Sequence, residues 1–210
     1  MLTRFTKSAT LVLVWALAGC TVVPADAPEP SPQPALAEPS TSVPVIPPLK
    51  ASTREDYGRA VDLLRNGDHD QAFAMFTQLS RSQPELAGPW VNLGVIHLAA
   101  ERPDQARLAH QQALAANPEN CDALNQLGVM ARREGRFEDA EAFYLRCLNA
   151  QPMYAHARLN LAILYELYLG RLGDALAAYQ DYEQTLDEPD TRVRGWVMDL
   201  ERRVAAIAKR

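Results

Sequence analysis

The chain has 210 residues, with 21 basic and 26 acidic side chains, and therefore a formal net charge of −5. An acidic chain is not expected to bind nucleic acid or acidic lipid head groups through charge, because both are themselves negative. About 160 residues follow a proline-rich N-terminal stretch, which is enough for one well-packed domain.

The N-terminus has the pattern of a secretory signal. Arg4 and Lys7 precede the apolar run 11–16, which is too short to span a bilayer as a helix, and residues 1–20 hold no acidic side chain. The run ends in Leu17-Ala18-Gly19-Cys20, which resembles a bacterial lipobox. That resemblance implies a signal peptide at 1–19 and acyl chains such as palmitate on Cys20, the mature N-terminus. An ordinary secreted protein with a stray cysteine and a short membrane anchor are the alternatives. Removal of the two basic residues would change the formal net charge from −5 to −7.

Residues 20–50 are expected to form a disordered tether behind the lipidated cysteine. Positions 21–49 hold nine of the fifteen prolines and no Lys or Arg, a composition that neither buries a core nor forms a helix. At about 3.1 Å per residue the fully extended segment would span roughly 90 Å. A passive spacer is favoured over a proline-motif ligand, because the flanking residues give no support for the latter.

The remainder of the chain contains an internal repeat. Prolines recur at a constant interval at Pro84, Pro118 and Pro152, and alanines recur at the same interval at Ala72, Ala106 and Ala140. Each period holds two stretches of helical periodicity separated by turn residues, and the prolines end the second stretch. The pattern predicts four helix pairs within 51–188, at about 53–86, 87–120, 121–154 and 155–188.

The second period carries a recognisable signature. Its residues Trp90, Leu93, Gly94, Ala106, Ala113 and Pro118 resemble the tetratricopeptide repeat, a helix–turn–helix unit of the same length as this period. The resemblance implies an all-α, right-handed superhelical solenoid of about four helix pairs. Close helix contacts are expected where Gly94 meets Ala106 and Gly128 meets Ala140. In the fourth unit the second helix starts one residue late, which predicts either a longer first helix or a looser turn.

Residues 189–210 are expected to form a C-terminal capping helix, as repeat arrays require at their ends. Its apolar face comprises Val193, Trp196, Val197, Leu200, Val204 and Ile207. A helix lying on a membrane surface is the less favoured alternative.

No motif for chemistry is found in the sequence. It lacks a glycine-rich phosphate loop, His-Glu-x-x-His, Cys-x-x-Cys and a nucleophile elbow, so neither an enzyme nor a cofactor is predicted. His97 and His110 occupy columns that are apolar or aromatic in other units and are expected to face each other. Two core histidines are favoured over a metal or pH-sensing pair, and no metal site is predicted.

Two cysteines remain once Cys20 carries lipid. Cys121 begins the first helix of unit three, and Cys147 lies near the end of the antiparallel second helix, so the two are expected to be neighbours. A disulfide is plausible in an exported domain if the Cα atoms lie within about 7 Å. Alternatively, Cys147 is a small buried residue and Cys121 a surface thiol.

Proteins that resemble this one hold a peptide or a partner's helix in a groove lined by the first helices. The positions expected to line it are Tyr57, Val61, Val91, Asn92, Val95, Asn125, Val129, Arg132, Leu159, Asn160 and Ile163. This lining is more apolar than charged, which favours an apolar partner segment. Its asparagines can bond both the N–H and the C=O of a bound backbone. Some of these residues are expected to belong to the edge of the core between units.

Taken together, the lipobox, tether and repeats resemble the outer-membrane repeat lipoproteins of Gram-negative bacteria. The resemblance implies a periplasm-facing scaffold that helps to assemble an envelope complex such as a type IV pilus or secretion system. An adaptor or regulator of a peptidoglycan enzyme is the alternative. Thr21 is not the aspartate that retains enteric lipoproteins at the inner membrane, which favours the outer one. Ends of such arrays often dimerise, and the turn around Tyr168 and Leu169 is the expected place for a homodimer contact.

Overall fold

The computed structural model describes residues 50–209 of the chain. The predicted signal peptide, the lipidated Cys20 and the tether before Lys50 therefore lie outside the described residues, and so does Arg210. Within 50–209 there are nine α-helices and no strand.

Eight of the helices form four consecutive pairs, and the ninth follows them. Pair one is α1 (Ala51–Arg65) with α2 (His69–Ser82), pair two is α3 (Ala87–Ala99) with α4 (Pro103–Ala116), pair three is α5 (Cys121–Arg133) with α6 (Phe137–Ala150), pair four is α7 (Ala155–Leu167) with α8 (Leu172–Glu183), and α9 is Thr191–Ile207. Each helix packs against its neighbours along the chain, and α5 also packs against α7. The predicted all-α solenoid of four helix pairs with a further C-terminal helix is confirmed.

The extra residue of pair four lies in its turn. The helices α3, α5 and α7 have equal lengths and begin at equal intervals along the chain, at Ala87, Cys121 and Ala155. Residues 66–68, 100–102 and 134–136 separate the helices within the first three pairs, whereas the longer segment 168–171 separates α7 from α8. Of the two alternatives for this unit, the structure thus shows the longer turn.

All four turns within the pairs use a left-handed backbone residue. Three of these residues are glycines, Gly67, Gly135 and Gly170, with φ of 84°, 75° and 64°. In pair two the residue is Glu101, with φ of 55°. A side chain makes this conformation unfavourable by roughly 1–2 kcal/mol, so the turn of pair two carries strain that the others avoid.

The first helices approach their second helices at small residues. A Cβ added to Gly94 would lie 2.3 Å from the ring of His110, and one added to Gly128 would lie 2.4 Å from the ring of Tyr144. The nearest neighbours of the two glycines are therefore these rings rather than the expected Ala106 and Ala140. The reason is that the rings extend across the helix interface and fill the space that the missing side chains leave.

The helices at the two ends of the array differ in their exposed residues, which are partly apolar on α9 and charged on α1. On α9, Val193, Val197 and Leu200 are buried against pair four, whereas Trp196 and Ile207 of its predicted apolar face remain 43% and 58% exposed. The apolar face is thus narrower than the sequence suggested.

Within residues 50–209, no helix pair precedes the first helix, α1. Glu55, Arg59 and Asp62 of α1 are exposed, although they stand one repeat before the buried Pro89, Leu93 and Ile96 of α3. Charged side chains thus replace apolar ones where no neighbouring pair packs, which is typical of a terminal repeat.

Candidate partner-binding groove

One column of the first helices is aliphatic in every pair. Its members, which we call the aliphatic stripe, are Val61, Val95, Val129 and Ile163, each one repeat after the last. All four are half-buried, so part of each side chain stays accessible, and Val61, Val129 and Ile163 pack against the core. All four are among the predicted groove residues. Stacked pairs place such a column along one continuous surface, and the stripe can therefore contact an apolar segment at several points.

Hydrogen bonds join the first helices of neighbouring pairs beside the stripe. The Asn92 amide donates to the Tyr57 hydroxyl at 3.0 Å and to the Gly88 carbonyl at 2.9 Å. The Asn160 amide donates to the Asn125 side-chain oxygen at 2.9 Å. Both N–H groups of the Asn92 amide and one of the two of the Asn160 amide are thus engaged within the chain. For Asn92 the expectation that it bonds both groups of a bound backbone is corrected, because only its side-chain oxygen is left for a ligand, whereas Asn160 keeps one N–H and its oxygen.

Two predicted groove residues belong to the interior. Val91 is only 9% exposed and packs with Ala87, Ala113 and Ala123, and Asn125 is only 7% exposed. At this position of the repeat the side chain faces the neighbouring helix pair more than the open surface. The sequence pattern therefore predicted these two residues to line the groove, although they are buried. Leu159 is half-buried and packs at the edge of the core.

The end of the groove near α1 contains a small apolar cavity. Its volume is about 210 Å³, and its lining residues are Arg54, Tyr57, Leu86, Ala87, Gly88 and Pro89. Burial raises the pKa of the Tyr57 hydroxyl; the Asn92 hydrogen bond works in the opposite direction, and the charge of Asp122 adds to the rise. The phenol therefore stays neutral at any physiological pH and serves as the acceptor for Asn92.

Arg132 is the predicted groove residue with an unusual environment. It is half-buried in the last turn of α5, and its guanidinium carbon lies 5.4 Å from the centroid of the Tyr168 ring. Tyr168 in turn packs against Phe137, with ring centroids 5.1 Å apart. The Arg132 Nε atom is buried and has no hydrogen-bond partner among residues 50–209. Sequence reasoning missed the contribution of Tyr168 to this surface, because the residue lies in the longer turn of pair four.

The two histidines have separate environments. His110 is fully buried with its ring against Gly94, and neither ring nitrogen has a partner among the described residues. Burial lowers its pKa to about 4. The ring of His97 lies 5.5 Å from that of Phe73, and burial followed by the nearby Arg102 charge lowers its pKa. The contacts described for the two rings are thus with different residues, and the expected contact between the rings stays a prediction.

Cys121 and Cys147 form a disulfide, with their Cα atoms 4.8 Å apart. Both are buried, and the bond joins the start of α5 to the end of α6. Of the two alternatives that the sequence left open, the structure has the cross-linked one. Across 50–209, no group of three or more His, Cys, Asp or Glu side chains is arranged to hold a metal ion.

A comparison with protein families agrees with this architecture. The family described as "Tetratricopeptide repeat" matches residues 57–111 and 91–152. A relative in Pseudomonas aeruginosa, the cytochrome c-type biogenesis protein CycH, is 30% identical over 94 residues, which make up 45% of this chain and 23% of that protein. The chain spans less than a quarter of the length of the first curated relatives that it matches.

Solved structures show the same fold. The pilF protein of Pseudomonas aeruginosa superimposes with a TM-score of 0.65 at 18% identity, over 74% of this chain and 70% of that one. YrrB, whose structure is described as a TPR protein with an unusual peptide-binding site, superimposes with a TM-score of 0.51 at 18% identity, over 62% of this chain and 66% of that one. No helix within 50–209 is both long enough and apolar enough to cross a membrane.

Proposed function

We propose that this chain, which is a tetratricopeptide-repeat protein, is a scaffold that holds a partner protein or peptide along the aliphatic stripe of its first helices. The scaffold is tied to the outer membrane by a lipid on Cys20 and faces the periplasm. In that place it assists the assembly of an envelope complex such as a type IV pilus or a secretion system.

The aliphatic stripe is the observation that supports partner binding. Val61, Val95, Val129 and Ile163 occupy one position in four successive units and keep part of their surface accessible. Apolar side chains that keep accessible surface along one face are typical of sites where another protein binds. YrrB, which shares the fold, has a peptide-binding site according to its description.

The pilus assignment has a different basis. The likeness to pilF at 18% identity supports only the fold, so the role comes from joining that likeness to the sequence pattern of the N-terminus. A lipid on Cys20 followed by a long proline-rich segment would allow the domain to work at a distance from the membrane surface. That arrangement suits a protein that collects a component before assembly.

Charge placed in the stripe tests the groove. Val95→Asp and Val129→Asp, each in the full-length chain, should abolish capture of the partner from envelope extracts of the source bacterium. Leu108→Asp is the matched control, because Leu108 lies on α4, outside the stripe, and is 60% exposed. Circular dichroism spectra that match the wild type show that the variants fold. Capture that survives both stripe substitutions would refute the groove.

Mass spectrometry of the captured proteins tests the pathway. Secretin or pilus components support the proposed assembly role. A peptidoglycan hydrolase would replace it by the adaptor function while leaving the groove intact. The anchor is tested separately with labelled palmitate, which should be incorporated into the wild-type chain and not into Cys20→Ser. Equal incorporation into both would refute lipidation at Cys20.

A further inference from the structure

The apolar cavity near α1 lies at a junction of two helix pairs, and the same junction recurs between pairs three and four. The two junctions are two repeats apart, so their residues can be matched position by position. Three of the matched positions carry Arg54, Leu86 and Gly88 at the first junction and Asp122, Tyr154 and His156 at the second. The second junction therefore shows one way in which this repeat fills the place.

Aromatic side chains of the chain itself occupy the second junction. The centroids of the Tyr154 and His156 rings lie 5.8 Å apart. The Tyr154 hydroxyl also donates a hydrogen bond to a carboxylate oxygen of Asp122. The three matched positions are thus joined by two rings and a carboxylate.

The first junction lacks those rings. Leu86 stands at the position of Tyr154, and Gly88, which has no side chain, stands at the position of His156. These smaller residues line a cavity of about 210 Å³. Any side chain at Gly88 would narrow it, because an added Cβ would lie 2.9 Å from the Tyr57 hydroxyl. An apolar cavity of about 150 Å³ is enough to hold a benzene molecule, so there is room for one aromatic ring.

The walls of the cavity are held in place by contacts within the chain. The Tyr57 ring packs edge-on against Phe76, with centroids 5.8 Å apart, and the Tyr57 hydroxyl accepts the hydrogen bond from Asn92 at 3.0 Å. Ala87 and Pro89 are buried. A cavity with fixed walls binds a side chain with little reorganisation, which favours affinity.

The cavity is continuous with the aliphatic stripe. Val61 of the stripe follows Tyr57 by one turn of α1. On α3, Asn92 lies one turn after Gly88 and shortly before Val95 of the stripe. A segment that lies along the stripe can therefore place one of its side chains in the cavity.

The charge beside the cavity favours an aromatic occupant. Arg54 lines the cavity and is exposed, and it forms no ion pair with any other residue in 50–209. A guanidinium is attracted to the face of an aromatic ring, whereas an aliphatic side chain offers no such attraction. The chain uses this contact elsewhere, since the Arg171 guanidinium carbon lies 4.3 Å from the centroid of the Tyr165 ring.

We propose that this cavity holds an aromatic side chain of the segment that is bound along the aliphatic stripe. The inference rests on the proposed partner-binding function and specifies the chemistry of the partner. That partner is an apolar segment with one phenylalanine or tyrosine at the end that covers pairs one and two. Arg54 contacts the face of the ring, and the side-chain oxygen of Asn92 accepts a backbone N–H of the segment.

Two small probes test the cavity without knowledge of the natural partner. N-acetyl-phenylalaninamide and N-acetyl-leucinamide are titrated separately into the isotope-labelled full-length chain, and binding is followed by NMR. The phenylalanine probe should shift the amide signals of Ala87 and Gly88 until they saturate. It should bind about threefold more tightly than the leucine probe, because only its ring interacts with the Arg54 charge.

Three variants then assign the effect to the cavity. Leu86→Tyr, which introduces the residue of the second junction, should fill the cavity and weaken binding of the phenylalanine probe about tenfold. Glu85→Tyr is the matched control, because this exposed neighbour does not line the cavity, and it should bind as wild type does. Arg54→Gln should remove the preference for the phenylalanine probe and leave binding of the leucine probe unchanged. Circular dichroism and the urea midpoint confirm that each variant is folded.

The outcomes separate this proposal from the groove itself. Equal binding of the two probes, or signal shifts that Leu86→Tyr does not reduce, would overturn the aromatic site and leave the groove standing. Capture of the partner that survives Leu86→Tyr and is lost in Val129→Asp would do the same. Capture that also survives the stripe substitutions would overturn both proposals. Shifts of the Ala87 and Gly88 signals with protein concentration alone would show that a second copy fills the cavity, which would overturn the assignment to a partner.

Discussion

Replacement of His110 by phenylalanine, the residue type that pair one has at this position, should make the stability of the chain less dependent on pH. His110 is fully buried, and neither of its ring nitrogens has a hydrogen-bond partner among the described residues. Burial lowers the pKa of the folded state to about 4, whereas a histidine in an unfolded chain has a pKa of about 6.5. Between these values the unfolded chain binds a proton that the folded chain does not.

The direction and size of the effect follow from this difference. Above pH 6.5 the histidine is neutral in both states and contributes no pH dependence. As the pH falls from about 6.5 toward 4, protonation favours the unfolded chain, and stability decreases by up to about 1.4 kcal/mol for each pH unit. Between pH 7.5 and pH 4.5 the loss caused by His110 amounts to about 2.5 kcal/mol. Below the folded pKa the loss levels off.

Urea unfolding of wild type and His110→Phe at these two pH values measures the effect. The carboxylates and His97 are the same in both proteins, so their contributions cancel in the difference between the two curves. We expect the free energy of unfolding of the variant, relative to wild type, to rise by about 2.5 kcal/mol on going from pH 7.5 to 4.5. If the difference in the free energy of unfolding between the two proteins does not change with pH, the His110 ring is hydrated or hydrogen-bonded in the folded chain.

Three further predictions concern stability and are read from urea unfolding at neutral pH. Glu101→Gly should stabilise the chain by about 1 kcal/mol, because glycine adopts the left-handed backbone of this turn without strain; an unchanged or lower midpoint would contradict this. Tyr144→Phe should be neutral or stabilising, because its hydroxyl has no hydrogen-bond partner among residues 50–209, whereas Tyr179→Phe should cost about 1 kcal/mol through loss of the bond to its carboxylate acceptor. The opposite order would show that the Tyr144 hydroxyl is satisfied. Replacing both Cys121 and Cys147 by alanine should lower stability by about 3 kcal/mol. A reducing agent should destabilise wild type equally and leave the variant unaffected, and an unchanged wild type would show that the cysteines are not bonded.

The helix pairs could be predicted from the sequence because local rules determine them. The regularly spaced prolines end helices by their own chemistry, and the alternation of apolar columns requires no knowledge of distant contacts. The late start of α8 was equally visible in the spacing. The sequence could not show whether the extra residue lies in the turn or in α7, because a helix and a turn can each accommodate one more residue.

The environments of single groove residues could not be predicted in the same way. Val91 is buried although the equivalent Leu159 is only half-buried, and the difference depends on how closely the neighbouring pair packs. The Asn92 amide finds the Tyr57 hydroxyl in the preceding pair, a partner that a linear pattern does not reveal. The Tyr144 hydroxyl, which has no hydrogen-bond partner in the part of the chain that the structure describes, could not be predicted either, because a tyrosine in an aromatic column has the pattern of an ordinary core residue.

The disulfide lies in the third of the four pairs, and this position has a consequence for local opening. In an array where each pair contacts only its neighbours, fraying begins at the ends and advances inward. A cross-link inside pair three limits how far that fraying can proceed from either side. We therefore expect amide hydrogen exchange to be slowest in α5 and α6. The helix that carries Val129 and Arg132 would then be among the last to open, and the surface around it would keep its shape under thermal stress.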